Sequence, residues 1–92
     1  MIVTVRGSFK KDVSHIRHYD LVTSLEEKIK QIESAHDLTH VTGLKLLRGY
    51  TSHYRIIIRT EKYSFRIGAI IYGRTICLVR FLSRKKIYKE FP

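Results

Sequence analysis

Tyr54-Arg-Ile-Ile-Ile-Arg59, Phe65-Arg-Ile-Gly-Ala-Ile-Ile71 and Ile76-Cys-Leu-Val-Arg-Phe-Leu82 are three runs with one rhythm. Apolar and other residues alternate with period two, the signature of half-buried strands. The gaps between them are short: Thr60-Glu61-Lys62 in the first, Tyr72-Gly73-Arg74 in the second. Three successive strands joined so tightly predict an antiparallel meander. Side chains flip faces at each step along a strand. One face is therefore expected to carry Ile56, Ile58, Phe65, Ile67, Val79 and Phe81, and to bury them. The opposite face then presents Arg55, Arg59, Arg66 and Arg80 together.

Upstream, Ile2, Val3 and Val5 are β-branched and predict a first strand, closed by Gly7 and Ser8. Ser8 is expected to cap a helix in which Phe9, Val13 and Ile16 recur at helical spacing, ending near Tyr19-Asp20. Val22, Leu25, Ile29 and Ile32 repeat the pattern in a second helix, with Glu26 and Lys30 as a favourable outward i,i+4 pair. Two helices joined so closely predict an antiparallel hairpin whose apolar stripe needs a sheet to cover. Asp37 to Gly43 reads as a connection. Leu44, Leu46 and Leu47 return to the core, and Gly49-Tyr50-Thr51-Ser52 is turn material. The expected fold is α+β: an N-terminal strand, a two-helix hairpin, the three-stranded meander, then a basic C-terminal tail. At 92 residues this is one domain, 1–92.

Charge divides the chain. The formal net charge is +10, and all of it lies in residues 43–92, with twelve Lys/Arg against two Asp/Glu. Residues 1–42 balance at six of each. An excess gathered in one half points to a polyanion, nucleic acid first and an acidic protein second. No basic amphipathic helix favours a membrane partner, no run is long enough to span a bilayer, and the start lacks a signal-peptide pattern. A cytoplasmic protein is expected. Cys77 is the single cysteine and reads as a small buried apolar residue. His15 with His18 and His36 with His40 lack a third ligand at zinc spacing, so no metal and no cofactor are expected. Tyr50, Tyr63 and Tyr72 flank turns and read first as turn residues, with base stacking as the lesser alternative.

Several motifs now fall in order: Leu44-Lys-Leu-Leu-Arg-Gly-Tyr50, Tyr54-Arg55-Ile56, Phe65-Arg66-Ile67-Gly68, and Val79-Arg-Phe-Leu-Ser-Arg-Lys-Lys-Ile-Tyr-Lys89. Together they resemble the RelE/ParE superfamily of bacterial toxins, over essentially the whole chain. The resemblance implies the toxin of a type II toxin–antitoxin module, a ribonuclease that enters the ribosomal A site and cuts mRNA. Carried over by position, it implies action on RNA by Arg55, Arg66, Arg84 and Tyr88, of which Arg66, Arg84 and Tyr88 are the expected catalytic set. RNA contacts are expected from Lys45, Arg48, Arg55, Arg59, Arg80, Lys85 and Lys86. The implied partners are an acidic antitoxin in a hetero-oligomer, the ribosome and mRNA. The sequence departs from the pattern at Ile57, where some members carry a lysine, and at Ser83, where a histidine is common. The loop between Arg59 and Ser64 also reads as longer than usual.

Metal-free RNA cleavage needs a base for the 2′-OH, cations for the phosphorane and an acid for the leaving oxygen. Guanidinium forks suit the second role, because they match phosphate oxygens and keep their charge. Tyr88 suits the first or third, with its phenol pulled down by neighbouring cations. Lys85 or Lys86 offers the same proton chemistry. Two rival readings stand beside this one. A ParE-type relative poisons DNA gyrase by protein contact and cuts nothing. An inactive RNA-binding relic fits the losses at Ile57 and Ser83.

Overall fold

The computed structural model describes all 92 residues. A five-stranded sheet runs in the order β1-β5-β4-β3-β2. Its strands are β1 (Ile2–Val5), β2 (Leu44–Leu46), β3 (His53–Arg59), β4 (Ser64–Tyr72) and β5 (Thr75–Ser83). Helices α1 (Gly7–Ser14) and α2 (Tyr19–Ser34) precede β2, and α3 (Arg84–Glu90) ends the chain. The α+β class and the meander β3-β4-β5 match the reading from sequence. The connection after α2 contains a 3-10 turn at Leu38–His40.

The structure adds two strands to the meander. Parallel β1 lies on β5, with Ile2 beside Thr75 and Val5 beside Leu78. The three-residue β2 pairs with β3, placing Lys45 across from Arg55. The Tyr72–Thr75 hairpin closes through Gly73 at φ +57°, a left-handed conformation that suits glycine. The β3–β4 loop has four residues, Thr60 to Tyr63, and the Thr60 N–H donates to the Tyr63 carbonyl at 2.9 Å. Four residues are an ordinary hairpin length.

Phe9, Leu21, Leu25 and Ile32 from the helices meet Ile56, Ile58, Ile67 and Phe81 from the sheet in one core. Leu21, Leu25 and Ile32 recur four and seven apart, so they share one side of α2. The α1 helix stops at Ser14, earlier than the apolar spacing implied. Ser8 lies inside it and donates its hydroxyl to the Val79 carbonyl, so it is no cap. That bond belongs to a seal along β5. Beyond the end of β1, the Arg6 N–H meets the Leu78 carbonyl and Asp12 accepts from the Phe81 N–H at 2.9 Å. Unpaired backbone groups on a sheet edge are costly when buried, and α1 supplies their partners.

A register shift falls between Gly68 and Ala69: Gly68 faces Arg80 while Ala69 faces Leu78, leaving Val79 as an extra residue. This corrects the expected faces of β5. Ile76 and Leu78 enter the main core with Phe81, whereas Val79 packs on the other side with Leu47, Ile70, Ile87 and Phe91. That second cluster seats α3. The expected basic tail is thus a helix, capped by Ser83, whose hydroxyl accepts from the Lys86 N–H at 3.4 Å. The residue that breaks the family pattern at 83 starts the helix here.

Candidate active site

Strand register gathers the site. Arg66 on β4 lies opposite Ile57 on β3, with Gly68 opposite Arg55 and Ser64 opposite Arg59. Cross-strand partners share a face, so Arg55, Arg59 and Arg66 sit together on the side that α3 covers. Arg84 and Tyr88, one turn apart on α3, complete the group. The Arg84 Nε–H donates to the Tyr88 hydroxyl at 3.4 Å. The Arg55 guanidinium carbon lies 4.4 Å from the centre of the Tyr88 ring, a cation–π stack.

Arg66 is the unusual member. It is 7% exposed, the sole buried charged residue of the chain. Its Nη1 donates to the Ser64 hydroxyl and the Phe65 carbonyl, each at 3.0 Å. No carboxylate answers it, and Arg55, Arg59 and Arg84 form no ion pair either. Burial pushes its pKa below the usual guanidinium value, and Arg84, Arg59 and Arg55 push the same way against Tyr88. A guanidinium still keeps its charge under such pressure. The Arg55 Nε–H is also buried without an acceptor. Buried polar groups normally find partners, so a cluster of cations with open donors is shaped for an anion from outside.

The same field acts on Tyr88, which stands 52% exposed. The hydrogen bond from Arg84 holds its phenol below the ordinary tyrosine pKa, and the charges of Arg84, Arg66 and Arg55 add to that pull. A phenol lowered by three guanidinium groups, one of them buried, can combine a proton acceptor with an oxyanion cradle.

Over 94 aligned positions, the chain is 32% identical to Toxin RelE3 of Methanocaldococcus jannaschii, with the whole of both chains covered. The chain belongs to the RelE toxin family. A solved RelB–RelE antitoxin–toxin complex from Methanococcus jannaschii is similar in fold, with a TM-score of 0.72 and 30% identity over 97% of this chain and 99% of that one. No family model matches.

Within this RelE-family chain, the residues singled out from sequence divide. Arg55, Arg59, Arg66, Arg84 and Tyr88 converge. Lys45 lies beside Arg55 on the same face and is exposed, and Arg48 is exposed in the loop after β2. Lys85 is three residues before Tyr88 and adjoins it on α3. Lys86 points away, into a cleft of about 330 Å³ lined by Asp12, His15 and Phe65. Arg80 is a correction. It lies on the expected face, opposite Gly68, but its charge is not free: it donates to both Asp12 oxygens, at 2.8 and 3.1 Å, and lies 3.7 Å from Glu90. The hydrogen bond to Asp12 raises its pKa, and the charges of Asp12 and Glu90 act the same way. The carboxylate on α1 turns this arginine into a structural tie.

Three participants were not read from sequence. Ser64 braces Arg66, and the signal was its place two residues earlier on the same face. Gly68 and Phe91 seat α3, a long-range fit that no local pattern carries. The histidines go elsewhere: His15 Nδ1 lies 2.8 Å from the Lys11 carbonyl, and His18 stacks on Tyr63 with the ring centres 4.2 Å apart. His53 packs between Tyr50 and Phe91. No helix is long and apolar enough to cross a membrane.

Proposed function

We propose that this RelE-family toxin is a metal-independent endoribonuclease that cuts mRNA in the ribosomal A site and so inhibits translation. The observation that carries this reading is Arg66: a buried cation without a counter-ion, beside three more guanidinium groups and a phenol of lowered pKa. A ribose-phosphate linkage supplies what the cluster lacks. Tyr88 as phenolate takes the 2′-OH proton, and the freed oxygen attacks the adjacent phosphorus. Arg66 and Arg84 hold the charge that builds on the phosphorane. The 5′ oxygen leaves with a proton from Lys85 or water. The products are a 2′,3′-cyclic phosphate and a 5′-OH. DNA, which lacks the 2′-OH, binds without being cut. Arg55 and Arg59 hold the flanking phosphates, with Lys45 and Arg48 further along the same side.

The partner that restrains the toxin is an acidic antitoxin. The relative of known structure was solved as a RelB–RelE complex. The excess of +10 on this chain calls for a partner of opposite sign. Brief induction in cells followed by mapping of mRNA 5′ ends tests the reading. New ends within translated codons are expected. Intact mRNA with an SOS response would instead assign gyrase poisoning, and intact mRNA without one an inactive relic.

A further inference from the structure

We propose that Phe91, seated on Gly68, is the positioning residue of the site: it fixes α3 on the sheet and thereby sets where Arg84 and Tyr88 stand over Arg66 and Arg55. The inference rests on the site reading above, and deepens it. A Cβ built on Gly68 would lie 2.6 to 2.8 Å from three atoms of the Phe91 ring. No side chain fits between them, so the ring rests on bare backbone. The seat lies in the middle of the basic face. Gly68 is two residues from Arg66 on β4, opposite Arg55 on β3 and opposite Arg80 on β5. The β-bulge falls at the same point, bending the sheet under the ring.

The helix depends on that seat. Seven residues are too few to hold a helix alone, so packing must place it. Its only buried anchors are Ile87 and Phe91, the latter 4% exposed. The Phe91 N–H also closes the helix by donating to the Ile87 carbonyl at 3.0 Å. Arg84 and Tyr88 project from the helix whose end this ring pins. Remove the ring, and the cation–π stack on Arg55 and the closeness of Tyr88 to the Arg66 charge lose their common support. The main core, built from the other face of the sheet, does not include Phe91.

The experiment is a titration of Tyr88, followed through the ring-carbon NMR shifts of tyrosine-labelled protein and assigned by its loss in Tyr88→Phe. In the wild type, Arg84 on its own helix, Arg66 on β4 and Arg55 on β3 hold the Tyr88 midpoint below that of an ordinary tyrosine. Phe91→Ala and Gly68→Ala are expected to move it up part of the way, because the pulls of Arg66 and Arg55 on the sheet are lost while that of Arg84, on the same helix, remains. Phe91→Leu, which refills the seat, should retain the low midpoint. In the same variants kcat for mRNA cleavage should fall by about 10²-fold with KM little changed, and Phe91→Leu should recover most of it. A folded Phe91→Ala protein whose Tyr88 titrates as in the wild type overturns the proposal. So does global unfolding of Phe91→Ala, which would make the ring a support of the whole fold. Phe91→Ala decides alone if Gly68→Ala does not fold. The titration uses no RNA, so a wild type that cuts nothing overturns the ribonuclease reading and leaves this one standing.

Discussion

Two arginines on the same side of the sheet have opposite fates, and the difference is the presence of a carboxylate. Arg80 spends its donors on Asp12, whereas Arg66 is buried with only a hydroxyl and a carbonyl. A buried cation without a counter-ion is unfavourable for folding, and an apolar residue of similar size is often better tolerated. Arg66→Met is therefore expected to abolish cleavage while raising the thermal midpoint, a trade of stability against function. Circular dichroism melts and a cleavage assay on the same sample check both signs. Tyr88 gives a second test. Because the cations pull its pKa down, cleavage should rise with pH to a plateau reached below the ordinary tyrosine pKa. Arg84→Gln removes the largest pull and should shift that rise to higher pH. Tyr88→Phe should slow cleavage by about 10²-fold or more and flatten the profile.

At the scale of elements, the period-two alternation identified β3 and β4 and their core residues, because those strands are regular throughout. It misplaced the first half of β5, because one extra residue at Val79 inverts every side chain before it. Alternation cannot show where a bulge lies when both phases of a strand are apolar, as they are in Ile76-Cys77-Leu78-Val79. Strand β2 was hidden by its length of three residues. Helix α3 was hidden because its amphipathic pattern has only Ile87 and Phe91 to declare it. The basic set of the site was legible because alternation groups Arg55, Arg59 and Arg66 on one face. Their link to Arg84 and Tyr88 came from the family resemblance. The tie from α1 to β5 yields an element-scale test. Asp12→Ala strands the Phe81 N–H and leaves Arg80 with only the longer contact to Glu90. It should destabilise the protein by about 2–4 kcal/mol, read from urea unfolding, without changing the pH dependence of cleavage.

For the whole molecule, charge segregation is the organising fact. Residues 1–42 are neutral and lend Phe9, Leu21, Leu25 and Ile32 to the core, while residues 43–92 carry the excess of +10. A ligand held by four guanidinium groups should be released steeply by salt. For a short single-stranded RNA with a 2′-deoxy at the cut position, the slope of log K against log salt should be about −3. A slope near zero would place the RNA elsewhere. Arg80→Gln should leave the slope unchanged, since that charge is already answered within the protein.

The most direct measurement uses purified toxin on mRNA in programmed ribosomes, with wild type beside the Arg66→Ala/Arg84→Ala double variant and chemical analysis of the new ends. The expected result is cleavage by the wild type alone, leaving a 2′,3′-cyclic phosphate and a 5′-OH. Cutting by the double variant at the wild-type rate, or wild-type products ending in a 3′-OH and a 5′-phosphate, would contradict it.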